Sequence, residues 1–280
     1  MSRITQQFQA LKKRGRRALI PYITAGDPEP WVTVPLMHAL VKAGADVLEL
    51  GVPFSDPMAD GPVIQRASER ALKNHVRLQD VLGMVREFRL KDDMTPVVLM
   101  GYLNPIEVTG YERFASQAAA AGVDGVLTVD LPPEEAVAFT PALRQHNLDA
   151  IFLLAPTSNT ERIERIAAAA SGFIYYVSLR GVTGAAHMDV NEVEAKLKTI
   201  RRHTRLPLGV GFGINSPEIA ATMARIADAV IVGSAIVKRI EELAGSPDRI
   251  LTEVPAFLAR LREAMDAATA STEQASGGRA

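Results

Sequence analysis

The stretch Lys42-Ala-Gly-Ala-Asp-Val-Leu-Glu-Leu50 carries the pattern that decides the fold. It has a near copy in Ala120-Ala-Gly-Val-Asp-Gly-Val-Leu-Thr128 and a fainter one in Ile226-Ala-Asp-Ala-Val-Ile-Val232. Each copy joins a segment of helical period to a short apolar run, and in the first two a glycine supplies the left-handed residue that commonly ends a helix. We interpret the pattern as a repeated joint between a helix and a buried strand.

Short runs rich in β-branched residues alternate with helical segments along the whole chain. Eight such runs occur, at residues 18–24, 47–51, 96–102, 125–129, 150–155, 173–178, 206–211 and 228–233. They are apolar on both alternating faces, which is typical of parallel strands covered by helices. Each unit takes about 27 residues, enough for a strand, a helix and two loops. The pattern predicts a single (β/α)₈ TIM barrel. An open doubly wound sheet is the alternative, although the first strand lacks its usual Gly-x-Gly-x-x-Gly turn.

The two ends of the chain differ in character. Residues 2–13 place Ile4, Phe8 and Leu11 at helical spacing, which predicts an extra N-terminal helix closing the bottom of the barrel. Residues 269–280 are mostly small and polar. We therefore predict a catalytic barrel domain over residues 1–268 and a disordered tail over 269–280.

Composition excludes several classes of function. The 280 residues carry a formal net charge of −1, so nothing indicates a surface for nucleic acid or an anionic membrane. No apolar segment approaches the ~20 residues that span a bilayer. The chain has no cysteine, and its five histidines lack metal-ligand spacing. We therefore expect no metal. Because no export signal is recognisable, we also expect a cytoplasmic protein.

The loop after the second strand is the richest in candidate catalytic groups. Active sites of such barrels lie at the carboxyl ends of the strands. Glu49 ends an apolar strand, where partial desolvation would raise its pKa towards that of a useful general acid. Asp56 and Asp60 follow in a proline-rich loop. The alternative interpretation is that these acids pair with basic groups or cap turns.

Glycine-rich loops after the last three strands suggest how a substrate would be held. In the loops at residues 209–216 and 232–237, small residues precede a helix and leave backbone N–H groups free to bind an anion. Phosphate binds at this position in many barrels of this class. The loop at residues 178–187 contains two glycines and predicts a mobile lid.

Five stretches in family order resemble the α subunit of tryptophan synthase, and the resemblance covers residues 1–268. They are Pro21-Tyr-Ile-Thr-Ala-Gly-Asp-Pro28, Leu48-Glu-Leu-Gly-Val-Pro-Phe-Ser-Asp-Pro-Met-Ala-Asp-Gly-Pro62, Gly181-Val-Thr-Gly184, Gly211-Phe-Gly-Ile214 and Gly233-Ser-Ala-Ile-Val237. The resemblance implies a lyase of tryptophan biosynthesis that reversibly cleaves indole-3-glycerol phosphate to indole and glyceraldehyde 3-phosphate. It also implies an α2β2 heterotetramer, in which the β subunit receives the indole and carries the only cofactor, PLP.

The resemblance also assigns roles to residues of this chain. Glu49 becomes the catalytic acid and base, and Asp60 its partner acid. The implied phosphate-binding residues are Gly184, Gly213, Gly233 and Ser234. The implied indole pocket and its rim comprise Tyr22, Ile64, Met100, Tyr102, Leu127, Val129, Tyr175, Thr183, Phe212 and Ile231. The exposed surface of the second loop, with Pro53, Asp56 and Met58, is expected to meet the β subunit.

The chain departs from the family pattern at two positions. Family members often have phenylalanine where this chain has Tyr22, and some place the arginine of the sixth loop one residue before Arg180. Two rival functions stay open: a free-standing lyase that releases indole without a partner, and a catalytically silent subunit that only activates the β subunit. The presence of Glu49 and Asp60 argues against the silent subunit.

Overall fold

A closed barrel of eight parallel strands forms the centre of the computed structural model, which describes residues 1–177, 189–211 and 213–277, with side chains through residue 270. Neighbours in sequence are neighbours in the barrel, and the last strand pairs with the first. All eight predicted strands are present, within two residues of their predicted bounds. The strands are β1 (Ala18–Thr24), β2 (Leu48–Gly51), β3 (Val97–Gly101), β4 (Gly125–Thr128), β5 (Asp149–Leu154), β6 (Ile174–Val177), β7 (Leu208–Gly211) and β8 (Ala229–Val232).

Helices surround the barrel and connect its strands. They are α1 (Arg3–Lys13), α2 (Pro30–Lys42), α3 (Pro62–Lys73), α4 (Leu78–Arg89), α5 (Leu103–Thr109), α6 (Tyr111–Ala121), α7 (Phe139–Gln145), α8 (Thr160–Ala169), α9 (Val190–Ile200), α10 (Pro217–Ile226), α11 (Ser234–Glu242) and α12 (Pro247–Gly277). Among the described residues, none of these helices has the length and apolar character to cross a membrane.

The structure differs from the sequence prediction at the C-terminus. Helix α12 runs past residue 268, so the backbone of residues 269–277 is helical where we predict disorder. Ala268 and Thr269 are still buried, and the Thr269 hydroxyl donates to the carbonyl of Met265 at 3.2 Å. The small residues of this segment therefore continue a helix that is already packed on the barrel.

Helix α1 closes the amino-terminal end of the barrel, as its spacing predicts. Ile4, Phe8 and Leu11 are buried and join the side chains that fill the barrel interior. The rings of Phe8 and Phe173 lie 5.7 Å apart between centroids. This packing makes the lower half of the barrel a solid core, so a cavity can form only at the upper, carboxyl end.

The repeated joint of the sequence has a specific structural role. Its aspartate precedes a strand and accepts a hydrogen bond from a backbone N–H at or near the start of the preceding strand. The three bonds run from Leu19 to Asp46 (2.9 Å), from Val97 to Asp124 (2.8 Å) and from Leu208 to Asp228 (2.9 Å). Each aspartate therefore joins two neighbouring strands at the bottom rim, which fixes their register where the ladder begins.

Arginines pair with these aspartates, and the pairs differ in how deeply they are buried. Asp124 is 4% exposed and pairs with Arg89 at 2.7 Å and Arg3 at 2.8 Å. Asp228 pairs with Arg201 at 3.1 Å, and both side chains are more than a third exposed. A buried charge that loses its partner is destabilising, whereas an exposed pair contributes little.

We predict that Asp124→Asn lowers the free energy of unfolding by about 3 kcal/mol, because it leaves Arg89 without its buried counter-charge. The matched change Asp228→Asn removes the same negative charge from an exposed pair and should cost less than about 1 kcal/mol. Urea unfolding of the two variants and the parent chain measures both values. Equal losses in the two variants would contradict the role assigned to burial.

Candidate active site

The inward-facing residues of the strands converge above the core. Register places Tyr22 beside Glu49 and Glu49 beside Val98. Two glycines, each on the strand next to that of a tyrosine, leave space for the tyrosine side chains inside the barrel. A Cβ at Gly51 would collide with the Tyr22 hydroxyl, and one at Gly211 would collide with the hydroxyl of Tyr175. This role of the two glycines is not predicted from the sequence.

A cavity of about 1220 Å³ opens at the carboxyl end of the barrel. Twelve of the predicted site residues line it: Tyr22, Glu49, Asp60, Ile64, Met100, Leu127, Val129, Tyr175, Gly213, Ile231, Gly233 and Ser234. Tyr102 is not part of the described lining. The structure therefore brings most of the predicted site residues together around one cavity, and the contacts of Tyr102 explain its position outside the lining.

Glu49 is the most deeply buried carboxyl group at the cavity. The residue is 1% exposed, and its Oε1 has no hydrogen-bond partner in the described part of the chain. Burial raises the pKa of Glu49 to about 8, and the negative charge of Asp60 contributes to the same shift. A carboxyl group in this environment keeps its proton at neutral pH and can deliver it to a substrate.

Asp60 lies in a more polar environment than Glu49. The Tyr102 hydroxyl donates to Asp60 Oδ2 at 3.0 Å and accepts a bond from the backbone N–H of Ala59 at 3.0 Å. Gln65 donates to the Asp60 carbonyl at 2.8 Å, and Phe54 stacks on Tyr102. Burial raises the pKa of Asp60 to about 6, and the hydrogen bond from Tyr102 limits this rise. Tyr102 thus holds Asp60 in place from a position outside the described cavity lining.

The two carboxyl groups share one proton over a broad pH range. The pKa of Asp60 is about 6 and that of Glu49 about 8, so between these values Asp60 is ionised and Glu49 protonated. The two groups titrate as a coupled pair, because a negative charge on one makes ionisation of the other less favourable. This separation of pKa values provides an acid and a carboxylate within one cavity.

Another part of the cavity wall is formed mainly by backbone and small side chains. Gly213, Ile214, Gly233 and Ser234 line it. Gly213 adopts a φ of +70°, which an L side chain rarely accepts, and Ser234 begins helix α11. The N-terminal N–H groups of a helix favour an anion, so this part of the cavity wall suits a phosphate group.

Comparison with known proteins identifies the family. A family model described as tryptophan synthase alpha chain matches residues 8–267. The chain belongs to this family. The tryptophan synthase alpha chain of Thioalkalivibrio sulfidiphilus is 64% identical over 266 residues, covering 95% of this chain and 100% of that relative. The family places the chain among the lyases that carry out the α reaction of tryptophan biosynthesis.

Solved structures of the family have the same architecture. The tryptophan synthase alpha subunit of Legionella pneumophila superposes with a TM-score of 0.90 at 50% identity, covering 95% of this chain and 99% of the other. A tryptophan synthase structure from Mycobacterium tuberculosis gives a TM-score of 0.85 at 38% identity, covering 94% and 98% of the two chains. The barrel and its extra N-terminal helix are therefore those of the tryptophan synthase alpha fold.

Some predicted residues lie outside the residues that the structure describes. These are Thr183 and Phe212 of the predicted substrate site, Gly184 of the predicted phosphate site, and Arg180 in the sixth loop. Their predicted roles stay predictions.

Pro53 requires a correction. We predict it as part of an exposed surface for the β subunit, but it is buried directly after β2. The neighbouring Val52 N–H donates to the carbonyl of Met100, so the chain still follows the barrel at this point. Asp56 and Met58, further along the loop, are exposed as predicted.

The cavity also includes polar residues that the sequence analysis missed. Arg162 and Arg165 on α8 both pair with Glu134, at 2.6 Å and 3.0 Å, in the loop that follows β4. They form part of the cavity wall near the N-terminus of α8. Neither the loop after β4 nor helix α8 carries a recognisable motif. Only the strand order indicates that Glu134 meets the two arginines. Among the residues that the structure describes, no group of three or more histidines and acids is arranged to hold a metal ion.

We predict that Glu49→Gln increases stability at high pH. Because the folded-state pKa of Glu49 is raised from 4.5 to about 8, its contribution to stability is complete below about pH 4.5 and is lost as the pH rises through 8. Glutamine stays neutral, so the difference in unfolding free energy should grow in favour of the variant between pH 5 and about 9.

Urea unfolding at a series of pH values measures this difference. The exposed Glu29→Gln serves as the control and should show no comparable gain, because its side chain is in water in both states. A difference between Glu49→Gln and the parent that does not vary with pH would contradict the raised pKa.

Proposed function

We propose that this chain cleaves indole-3-glycerol phosphate to indole and glyceraldehyde 3-phosphate in its barrel cavity, with Glu49 as the acid and Asp60 as its ionised partner. The observation that carries the proposal is the pair of carboxyl groups with separated pKa values, about 8 and about 6, on the wall of one cavity. The anion-binding end of the same cavity supports a phosphorylated substrate.

The chemistry requires one proton to be given and one to be taken. Glu49 protonates C3 of the indole ring, which becomes an indolenine and can accept the electron pair of the breaking carbon–carbon bond. The adjacent side-chain hydroxyl loses its proton as it becomes the aldehyde. One proton gained at carbon balances one lost from oxygen, so the reaction needs neither a metal nor a cofactor.

Asp60 contributes a negative charge where positive charge develops. During protonation of C3 the indole nitrogen becomes electron-poor, and a carboxylate near its N–H stabilises that charge. The proton of the hydroxyl is taken either by Asp60 or by Glu49 after Glu49 has given up its own proton. The neutral partner in the first step must be Glu49, because its pKa is the higher of the two.

The walls of the cavity match the two ends of this substrate. Leu127, Val129 and Ile231 offer apolar surface to an indole ring. Gly213, Gly233 and Ser234 would bind the phosphate with backbone N–H groups, with the dipole of helix α11 adding to the attraction. Gly184, Thr183 and Phe212 complete the proposed site on the strength of the family resemblance.

The exposed upper loops support a β subunit as the partner. Met58 is 88% exposed, Val108 is 82% exposed and Val137 is 75% exposed. They lie in the segments that follow β2, β3 and β4, so the apolar side chains occupy neighbouring positions on one end of the barrel. We propose that this face, with Asp56, binds the β subunit in an α2β2 assembly located in the cytoplasm, and that PLP belongs to that subunit alone.

We predict that Glu49→Gln retains substrate binding but loses cleavage by at least about 10³-fold, because it cannot protonate C3. Asp60→Asn removes a stabilising charge and not the acid, so it should cost roughly 3 kcal/mol of transition-state stabilisation. Single-turnover cleavage and equilibrium binding of indole-3-glycerol phosphate measure the two effects separately. Near-normal cleavage by Glu49→Gln would overturn the assignment of the acid.

We predict that Val137→Asp weakens activation of cleavage by the β subunit, because a charge in the apolar face must be desolvated on binding. The control is Leu90→Asp, which is 82% exposed at the end of α4, on the opposite side of the barrel from the loops. Turnover is measured with and without β subunit. If the parent chain is a free-standing lyase, the β subunit will not activate it, and if it is a silent subunit, it will show no turnover. Equal activation of Val137→Asp and Leu90→Asp would contradict the proposed face.

A further inference from the structure

An ion-pair network joins two helices that begin next to two parts of the site, α3 after Asp60 and α11 after Gly233. Arg70 of α3 donates from Nε and Nη2 to both carboxylate oxygens of Asp27, at 2.6 Å and 3.0 Å. Its Nη1 donates to Glu241 of α11 at 2.9 Å. Arg66, one turn earlier on α3, also binds Glu241 through two bonds of 2.6 Å and 2.8 Å. One guanidinium therefore bridges the loop after β1, helix α3 and helix α11.

The Arg70–Asp27 pair is buried and directional. The Asp27 side chain is 0% exposed and that of Arg70 is 20% exposed. Two parallel bonds between a planar guanidinium and a carboxylate fix the orientation as well as the distance of the partners. Because both charges give up water to form it, such a pair is weak support for stability alone and more suited to holding a defined geometry.

The network closes over the contact between the two helices. Helix α3 begins two residues after Asp60, and helix α11 begins at Ser234, directly after Gly233. Beneath the network Tyr22, Ala67 and Val237 pack against one another. The two helices therefore share an apolar contact, through Ala67 and Val237, and a polar clamp, through Arg70 and Glu241. The apolar contact and the clamp together set the position of α11 relative to α3.

We propose that Arg70 is a positioning residue that sets the spacing between the phosphate-binding end of the cavity and its carboxyl groups. It acts through α3 and α11 and touches no substrate, since it is not part of the described cavity lining. Three of its donors are already engaged by Asp27 and Glu241, so Arg70 does not serve as a counter-charge for the phosphate. The inference rests on the proposed phosphate site.

A change in this spacing should affect the two halves of the substrate unequally. In the synthesis direction indole and glyceraldehyde 3-phosphate bind as separate molecules. Indole contacts the barrel interior, whereas the aldehyde must bridge the phosphate-binding backbone and the carboxyl groups. A small displacement of α11 relative to α3 therefore weakens use of the aldehyde and leaves indole largely unaffected, because misplacement by about 1 Å can cost up to about 100-fold in a positioned reaction.

The test is the KM of each substrate in the synthesis of indole-3-glycerol phosphate. We expect Arg70→Gln to raise the KM for glyceraldehyde 3-phosphate about tenfold or more and to change the KM for indole less than about twofold. Arg70→Lys should be intermediate, since one ammonium group cannot make the same paired bonds to Asp27 and reach Glu241.

Arg16→Gln provides a matched control. Arg16 forms a paired bond to Asp266, at 3.0 Å and 3.1 Å, and its side chain is 31% exposed. This pair links the segment before β1 to α12, away from the cavity. Arg16→Gln should lower thermal stability without a selective change in either KM. If Arg70→Gln fails to fold, Glu241→Gln replaces it, because this change removes from α11 the charge and one of the two oxygens that Arg66 and Arg70 bind, and keeps the Arg70–Asp27 pair.

The outcomes separate this inference from the proposed function. An unchanged KM for glyceraldehyde 3-phosphate in a folded Arg70→Gln or Glu241→Gln chain would overturn the positioning role. An equal rise in both KM values would do the same, because it would indicate general loosening. If the parent chain itself does not use glyceraldehyde 3-phosphate, the proposed function fails instead.

Discussion

Glu49 lies inside the barrel with only 1% of its surface exposed, so its charge is poorly hydrated, and no described donor reaches its Oε1. This desolvation is the constraint on which the rest of the site depends. It raises the pKa of Glu49 and makes the group an acid at neutral pH. Tyr22 and Tyr175 can fill the surrounding space only because Gly51 and Gly211 have no side chain. The carboxyl group therefore owes its chemistry to the packing of the strands around it.

The two ends of the barrel divide stability from catalysis. At the bottom rim, aspartates of the repeated joint bind neighbouring strands, and α1 fills the interior. At the top, Asp60 lies on a loop held by Tyr102 and Gln65, where its charge is tolerated. The rigid lower half allows a desolvated acid to be held in place above it, although the Oε1 of Glu49 has no hydrogen-bond partner among the described residues. The Arg70 network extends this arrangement outward, to the helices that begin just after Asp60 and just after Gly233.

Much of this organisation is readable in the sequence because it depends on periodic apolar patterns. The eight strands, α1 and the position of Glu49 follow from hydrophobic runs and from the ends of those runs, whereas the assignment of Asp60 rests on the family resemblance. Other features depend on which side chains meet across the fold. The contact between Tyr102 and Asp60, the burial of Pro53 and the network around Arg70 join segments far apart in the chain. Local sequence patterns do not determine such long-range contacts. The helical end of α12 likewise depends on the packing of Ala268 and Thr269.

The claim most open to direct measurement is the protonation state of Glu49. Infrared difference spectra between the parent chain and Glu49→Gln, recorded from pH 5 to pH 10, isolate the carbonyl stretch of the protonated Glu49 carboxyl group. We expect this band to persist at pH 7 and to disappear with a midpoint of about 8, the raised pKa of Glu49. A band that disappears with a midpoint near 4.5, the ordinary value for glutamate, would contradict it.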